Sequence, residues 1–374
     1  MRSIPQQIIN RLALRITRPD PRKIISLRIA LTYQCNSRCR TCNIWRLYKQ
    51  NPEKQGDELS LDQINDVFTK STYLRNLKMI YLDGGETTQR RDFAELCGFF
   101  IQKYPHAQFS LTTNALEAEQ CIEKLREVNS KFHPKHFDVY TSLDGVGPIH
   151  DEMRGVTGAY DKTLLFIELL KRHLPSFGCG TTFTITPANY RELPAVYRLT
   201  YDLNVSFLPV FAQNSDLYYG NSEKKFDWDD AELREINKII EGPMRRGGSS
   251  NKLIPGILKN IDGTELYYLK YMIEYIRNRK RLFKCYSGTH SLFLDPYGTI
   301  FPCIMLNQPM GSIVSSEFDD IWMSNRAQQV RNYIAEEHCA CWTPCEVFPS
   351  LSRGFLTMLG RKKKIIGDQN DKQF

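Results

Sequence analysis

A chain of 374 residues with 41% hydrophobic and 25% charged side chains is long enough for two domains, or for one large α/β domain with an appendage. A formal charge of +8 permits an acidic substrate or weak attraction to anionic lipid and argues for neither; no nucleic-acid partner is expected. No run approaches the ~18 apolar residues of a membrane span, and the opening MRSIPQQIINRLALRITRPDPRK lacks an apolar signal core, so the expected address is the cytoplasm.

After an amino-terminal extension (1–24), residues 25–213 alternate β-rich runs with amphipathic ones. Six strands are predicted in ISLRIALTY, LKMIYLD, QFSLTTN, FDVYTSLD, GTTFTIT and VSFLPVFA. Between them SLDQINDVFTKS, RDFAELCGFFIQKY, LEAEQCIEKLREVN, DKTLLFIELLKRHL and YRELPAVYRLTYDL read as helices. Repeated βα units build a parallel sheet, and six of them make a partial (β/α)6 barrel of the α/β class rather than the closed eight-unit form. A helical connector (214–282) follows, then a small cysteine-rich α+β segment (283–350) with a hairpin across DPYG, then a basic tail (351–374) read as solvated.

Polar clusters follow the strands directly, where parallel α/β proteins place their chemistry. The first is LTYQCNSRCRTCNIW, with Cys35, Cys39 and Cys42; the next are DGGETTQR, TTNA and SLDGVGPIHDEMRG. In a reducing compartment clustered thiols read as metal ligands, whereas isolated Cys97, Cys121 and Cys179 read as small buried hydrophobes. Structural zinc closes a tetrahedron of four ligands, and C-x3-C-x2-C supplies three. Three thiolates can hold three irons of a cubane and leave the fourth iron open.

This C-x3-C-x2-C loop after a first strand resembles the radical S-adenosylmethionine (AdoMet) superfamily. The resemblance covers residues 25–213 and implies a [4Fe–4S] cluster on Cys35, Cys39 and Cys42 whose open iron binds the methionine moiety. It further implies reductive cleavage to a 5′-deoxyadenosyl radical, hydrogen abstraction from a substrate, and a reductant such as flavodoxin or ferredoxin. It assigns Gly84, Gly85 and Glu86 to the methionine ammonium, and Thr113, Asn114, Ser142 and Asp144 to the ribose and carboxylate. Arg154 is assigned to the carboxylate, and Thr184 and Thr186 to the adenosine side. Two departures from the family pattern are Thr41, where an aromatic residue often precedes the third cysteine, and Thr87, where many relatives have proline. Trp45 is the expected substitute for the aromatic residue. No residue is assigned as catalytic.

Cys285, Cys303, Cys339, Cys341 and Cys345 resemble the SPASM/twitch extension of the same superfamily. Full SPASM domains generally have seven cysteines and two clusters; five cannot fully ligate two cubanes. The expectation is one auxiliary [4Fe–4S] cluster held by Cys285, Cys303, Cys345 and either Cys339 or Cys341, with zinc as the alternative. Such a cluster can accept the electron left on the substrate, making the reaction oxidative, or pass electrons to the first cluster. The substrate is a small molecule or a peptide side chain, as in SPASM-type maturases. The lack of a leader-peptide domain before residue 25 favours the small molecule. The reading from another class is a non-catalytic iron–sulfur or zinc scaffold. Phe211, Gln213, Tyr218 and Tyr219 are candidate substrate lining.

Overall fold

The computed structural model describes residues 20–246, 263–282 and 284–348. Most of the amino-terminal extension and the whole basic tail lie outside them. Chain order runs β1 (Ser26–Ala30), α1 (Leu61–Lys70), β2 (Met79–Asp83), α2 (Phe93–Lys103), β3 (Gln108–Thr113), α3 (Ala118–Phe132) and β4 (Phe137–Ser142). It continues with α4 (Pro148–Arg154), α5 (Ala159–His173), β5 (Gly178–Ile185), α6 (Leu193–Asp202) and β6 (Ser206–Phe211). All six predicted strands and all five predicted helices are present; short α4 falls inside the stretch read as a strand-end loop. Local signals set these boundaries. Ser60 Oγ accepts from the Gln63 amide at 3.2 Å while the Gln63 side chain accepts from Ser60 N at 2.9 Å, a reciprocal cap that starts α1.

The six strands pair in parallel and in sequence, as an open barrel requires. Leu27, Ile29, Ile80, Leu82, Phe109, Leu111, Phe137 and Val139 occupy one face and are buried. They pack in a single cluster with Phe68, Phe93, Leu96, Phe100, Leu125, Val128 and Phe166 of the helices. Each such side chain contributes about 1.5–3 kcal/mol on full burial. The opposite face is polar: register aligns Arg28, Tyr81, Ser110 and Asp138, with Thr112 and Tyr140 in the next row. These residues are half-buried or exposed, so water reaches the inside of the barrel.

Helices α7 (Asp230–Arg246) and α8 (Gly263–Asn278) precede the predicted hairpin, β7 (Ser291–Leu294) and β8 (Thr299–Phe301). Asp295 Oδ1 fixes its turn by accepting from Tyr297 N at 3.0 Å and Thr299 N at 2.7 Å. A two-residue strand, β9 (Gly311–Ser312), and helices α9 (Phe318–Met323) and α10 (Asn325–Ala335) complete the described chain. β7 pairs parallel with β1, giving a nine-stranded sheet ordered β6-β5-β4-β3-β2-β1-β7-β8-β9. The carboxy-terminal cysteines are therefore anchored to the strand that leads into the first cysteine loop. Among the described residues no helix is long and apolar enough to cross a membrane.

Candidate active site

Beyond β1 the chain stays tied to the loop after β2: Leu31 N donates to Asp83 O at 2.8 Å, Gly85 N to Thr32 O at 2.8 Å and Glu86 N to Gln34 O at 2.6 Å. A Cβ on Gly84 would strike the Thr32 carbonyl and one on Gly85 the Gln34 carbonyl. The two glycines thus allow a close approach to the chain entering the cysteine loop. The loop itself is gripped from two sides. Arg38 N and Arg40 N donate to the carbonyls of Arg154 and Met153 at 3.0 and 2.9 Å. Opposite them, Asn43 N donates to Tyr219 O at 2.8 Å and Asn221 Nδ2 to Thr41 O at 2.7 Å.

Within this loop Cys39 is the shared electrostatic neighbour of Cys35 and Cys42. Cys39 is buried, and Cys35 and Cys42 are half-buried. Burial first, and Cys39 second, push the Cys35 and Cys42 thiols each up to about 12. A bound metal centre would need these thiols as thiolates and would displace their protons. The donor set suits an iron–sulfur cluster.

Glu86, 2% exposed, binds the ends of β2 and β3. Its Oε1 accepts from Thr88 Oγ1 at 2.6 Å and Thr113 Oγ1 at 2.9 Å, and its Oε2 accepts from Asn114 N at 2.6 Å. Burial raises this carboxyl against the pull of those bonds. Oε2, with one donor, retains a lone pair for an ammonium group. Asn114 continues the network: its Nδ2 donates to Asn36 Oδ1 at 2.7 Å and approaches Cys35 Sγ at 3.8 Å.

At the next strand end Asp144, 1% exposed, accepts from Thr184 N at 2.7 Å and from Arg154 Nη1 at 3.2 Å. Burial would lower the Arg154 guanidinium, but Cys39, Asp144 and Cys35 hold it above its ordinary value, placing this cation beside the thiols. Arg154 Nε is buried without a hydrogen-bond partner, as suits a donor awaiting an anionic group. His150 is structural: its Nδ1 accepts from Asp144 N at 3.0 Å, and burial lowers it to about 4, so it stays neutral.

Other expected residues fall as follows. Ser142 is buried on the inner face beside Thr182, and Thr184 is half-buried. Thr186 faces Asn189, donating to its Oδ1 at 2.8 Å, so its side chain is committed to a turn instead of the expected adenosine side. Trp45 is held by its own loop, Nε1 donating to Cys42 O at 3.2 Å. Phe211 packs on Trp228 with ring centroids 5.2 Å apart, and Gln213 Oε1 accepts from Trp342 N at 2.9 Å, so neither is free to line a substrate site. Tyr218 does something the periodicity did not announce: its hydroxyl accepts from Gly84 N at 3.1 Å and donates to Gly84 O at 3.0 Å. The polar, aromatic YYGN stretch after the sixth strand was the available signal.

Within the second cysteine set Cys285, Cys303 and Cys341 are electrostatic neighbours, Cys345 lies beside Arg28 and Glu346, and Cys339 pairs with Arg281. Burial, then Glu346, Cys341 and Cys285, raise Cys303 well above its ordinary value, and burial followed by Cys285 raises Cys341. Burial pushes Cys285 and Cys345 each up to about 11. Cys339 Sγ instead accepts from Arg281 Nη2 at 3.0 Å, and the same nitrogen binds the Cys339 carbonyl at 2.5 Å. Cys345 packs with Ala30, Tyr33, Phe293 and Phe301 in a cluster that Cys35, Cys42 and Tyr218 also contact. Cys345 of the second set and Cys35 and Cys42 of the first thus border one packed cluster.

A family model described as the radical SAM superfamily matches residues 29–200, and one described as an iron–sulfur cluster-binding domain, SPASM, matches 285–346. Residues 29–200 belong to the radical SAM superfamily. Radical SAM enzymes bind AdoMet and a [4Fe–4S] cluster, and SPASM domains bind auxiliary iron–sulfur clusters. This radical SAM chain is 27% identical to Fe-coproporphyrin III synthase of Methanosarcina barkeri over 56% of its own length and 48% of the relative's. It is 23% identical to pre-heme d1 synthase of Dinoroseobacter shibae over 82% of its length and 75% of the relative's. It spans about half of the first relative. Among solved structures, Streptococcus suis SuiB bound to S-adenosylmethionine aligns with a TM-score of 0.57 at 16% identity, covering 88% of this chain and 72% of that one. anSMEcpe with bound AdoMet and Kp18Cys peptide aligns at 0.56 and 14%, covering 91% and 99%. The radical SAM fold is common to all three.

Proposed function

We propose that the protein cleaves AdoMet at a cluster held by Cys35, Cys39 and Cys42, and oxidises a substrate lying in the polar interior of the barrel. The supporting observation is the shared packing of Cys35, Cys42 and Cys345, which brings an electron acceptor close to the site of hydrogen abstraction. With a cluster on Cys35, Cys39 and Cys42 and AdoMet bound, the pair would supply, on reduction by a flavodoxin- or ferredoxin-like partner, the radical chemistry that removes a hydrogen atom from the substrate. The chain's own residues orient the cofactor. Glu86 Oε2 accepts from the methionine ammonium, Arg154 meets its carboxylate from beside the thiols, and Thr113 and Asn114 fix Glu86 in place. Tyr218 and the carbonyls of Met153 and Arg154 hold the two loops together around them. The inner row of Arg28, Tyr81, Ser110, Thr112, Asp138 and Tyr140 favours a substrate rich in hydrogen-bonding groups.

Cys285, Cys303, Cys341 and Cys345 are proposed to hold the auxiliary [4Fe–4S] cluster, with Cys339 left to Arg281. Cys341→Ala is expected to cut bound iron by about four per chain, whereas Cys339→Ala retains it, as measured by anaerobic iron and sulfide analysis. Loss of iron from Cys339→Ala alone, or zinc in the parent site, contradicts this ligand set. C341A retains AdoMet cleavage and loses substrate oxidation.

A further inference from the structure

Arg28 has no assigned part in AdoMet binding, yet it lies at the junction of the two cysteine sets. It sits at the centre of β1, paired across the sheet with Tyr81 on one side and Phe293 of β7 on the other. Its side chain turns to the barrel interior, forms an ion pair with Asp83, and lies over the Tyr81 ring at 4.4 Å. Asp83 immediately precedes Gly84 of the cofactor loop. On the other side, Phe293 packs in the same cluster as Cys345. Glu346, next along the chain, accepts from Ser291 Oγ at 3.2 Å, and Ser291 is paired with Ser26, two residues before Arg28. The electrostatic neighbours agree: burial would lower the guanidinium, but Asp83, then Cys345, Tyr81 and Tyr218, hold it above its ordinary value.

A largely buried side-chain cation, 18% exposed here, acts on a neighbouring cysteine-ligated cluster more strongly than one in open solvent. Cluster potential responds to local net charge, and the reduced cluster carries one more negative charge than the oxidised one. A fixed cation therefore favours the reduced form.

We propose that Arg28 is a tuning residue for the auxiliary cluster: its guanidinium, paired with Asp83 on the strand whose Ala30 and whose neighbour Phe293 pack with Cys345, raises the cluster's reduction potential so that it accepts an electron from the substrate side of the barrel. The assignment rests on the auxiliary-cluster reading above. It also explains why an ionised arginine occupies an inner-face position of β1, where a polar uncharged side chain would satisfy the pleat.

The test uses full-length protein with Cys35, Cys39 and Cys42 replaced by alanine, so that only the auxiliary site holds a cluster. Its midpoint potential is read by electron paramagnetic resonance during anaerobic redox titration, with iron and sulfide counted in the same samples. Arg28→Gln is expected to shift the midpoint to more negative potential while about four irons remain, and Arg28→Lys, which keeps the charge, is expected to stay near the parent. An unchanged midpoint in R28Q with its iron intact overturns the proposal. If R28Q does not fold, R28K decides: a midpoint near the parent's supports it, and a negative shift in R28K overturns it. Failure of the parent itself to hold iron overturns the auxiliary-cluster reading, and the proposal with it; the iron count separates that outcome from the loss of tuning alone.

Discussion

Replacing Cys35, Cys39 and Cys42 together with alanine is expected to abolish 5′-deoxyadenosine formation and to leave about four irons per chain, held by the carboxy-terminal cysteines. The asymmetry follows from the placement of the two sets. The first set occupies one loop, gripped by the carbonyls of Met153 and Arg154 and by the Tyr219 and Asn221 segment. Removing its thiols takes away ligands without touching those bonds. The second set brackets the β7–β8 hairpin, which is paired to β1, and continues in the segment after α10. Turnover that survives the triple substitution would place the chemistry elsewhere, and loss of all iron would mean that the two sites assemble as one.

Gly85→Ala is expected to be the most damaging single substitution in the cofactor loop. An added Cβ meets the Gln34 carbonyl, which is backbone and cannot rotate away, and the neighbouring bond from Glu86 N to Gln34 O at 2.6 Å has no slack. Overpacking of this kind costs about 1–3 kcal/mol. The strain lies between the cysteine loop and Glu86, so iron retention at the first site and AdoMet affinity should fall together. Gly56→Ala is the control: nothing lies within 4 Å of its Cβ position, and it should shift stability by no more than about 0.5 kcal/mol. Thermal unfolding, iron content and equilibrium binding of AdoMet distinguish the two. A G85A protein indistinguishable from G56A would show that the loops do not depend on this contact.

The barrel was legible because its signals are local. Period-two apolar residues marked β1 to β4, and helical spacing with a capping serine marked α1, so the six strands and five helices follow from neighbouring residues alone. The cysteine loop was legible for the same reason, being a spacing within eight residues. What escaped was long-range. Nothing in Ser291–Leu294 announces a parallel pairing with Ser26–Ala30, and the polarity of the inner row emerges only once register aligns Arg28 with Tyr81, Ser110 and Asp138. Tyr218 was singled out for its position after β6, yet its bonds to Gly84 depend on how two distant loops meet. Thr186 and Phe211 make contacts that strand position alone does not announce, Thr186 in the turn at Asn189 and Phe211 against Trp228. The proposed preference for Cys341 over Cys339 likewise rests on Arg281, far away in sequence.

The central claim is that the three thiols converge to hold a cluster that cleaves AdoMet, and one measurement addresses it directly. Full-length protein is reconstituted anaerobically with iron and sulfide, its cluster content is verified spectroscopically, and AdoMet and dithionite are added. Formation of 5′-deoxyadenosine that requires both the reductant and the intact Cys35, Cys39 and Cys42 set is the predicted result. An intact first cluster that leaves AdoMet uncleaved under these conditions would contradict it.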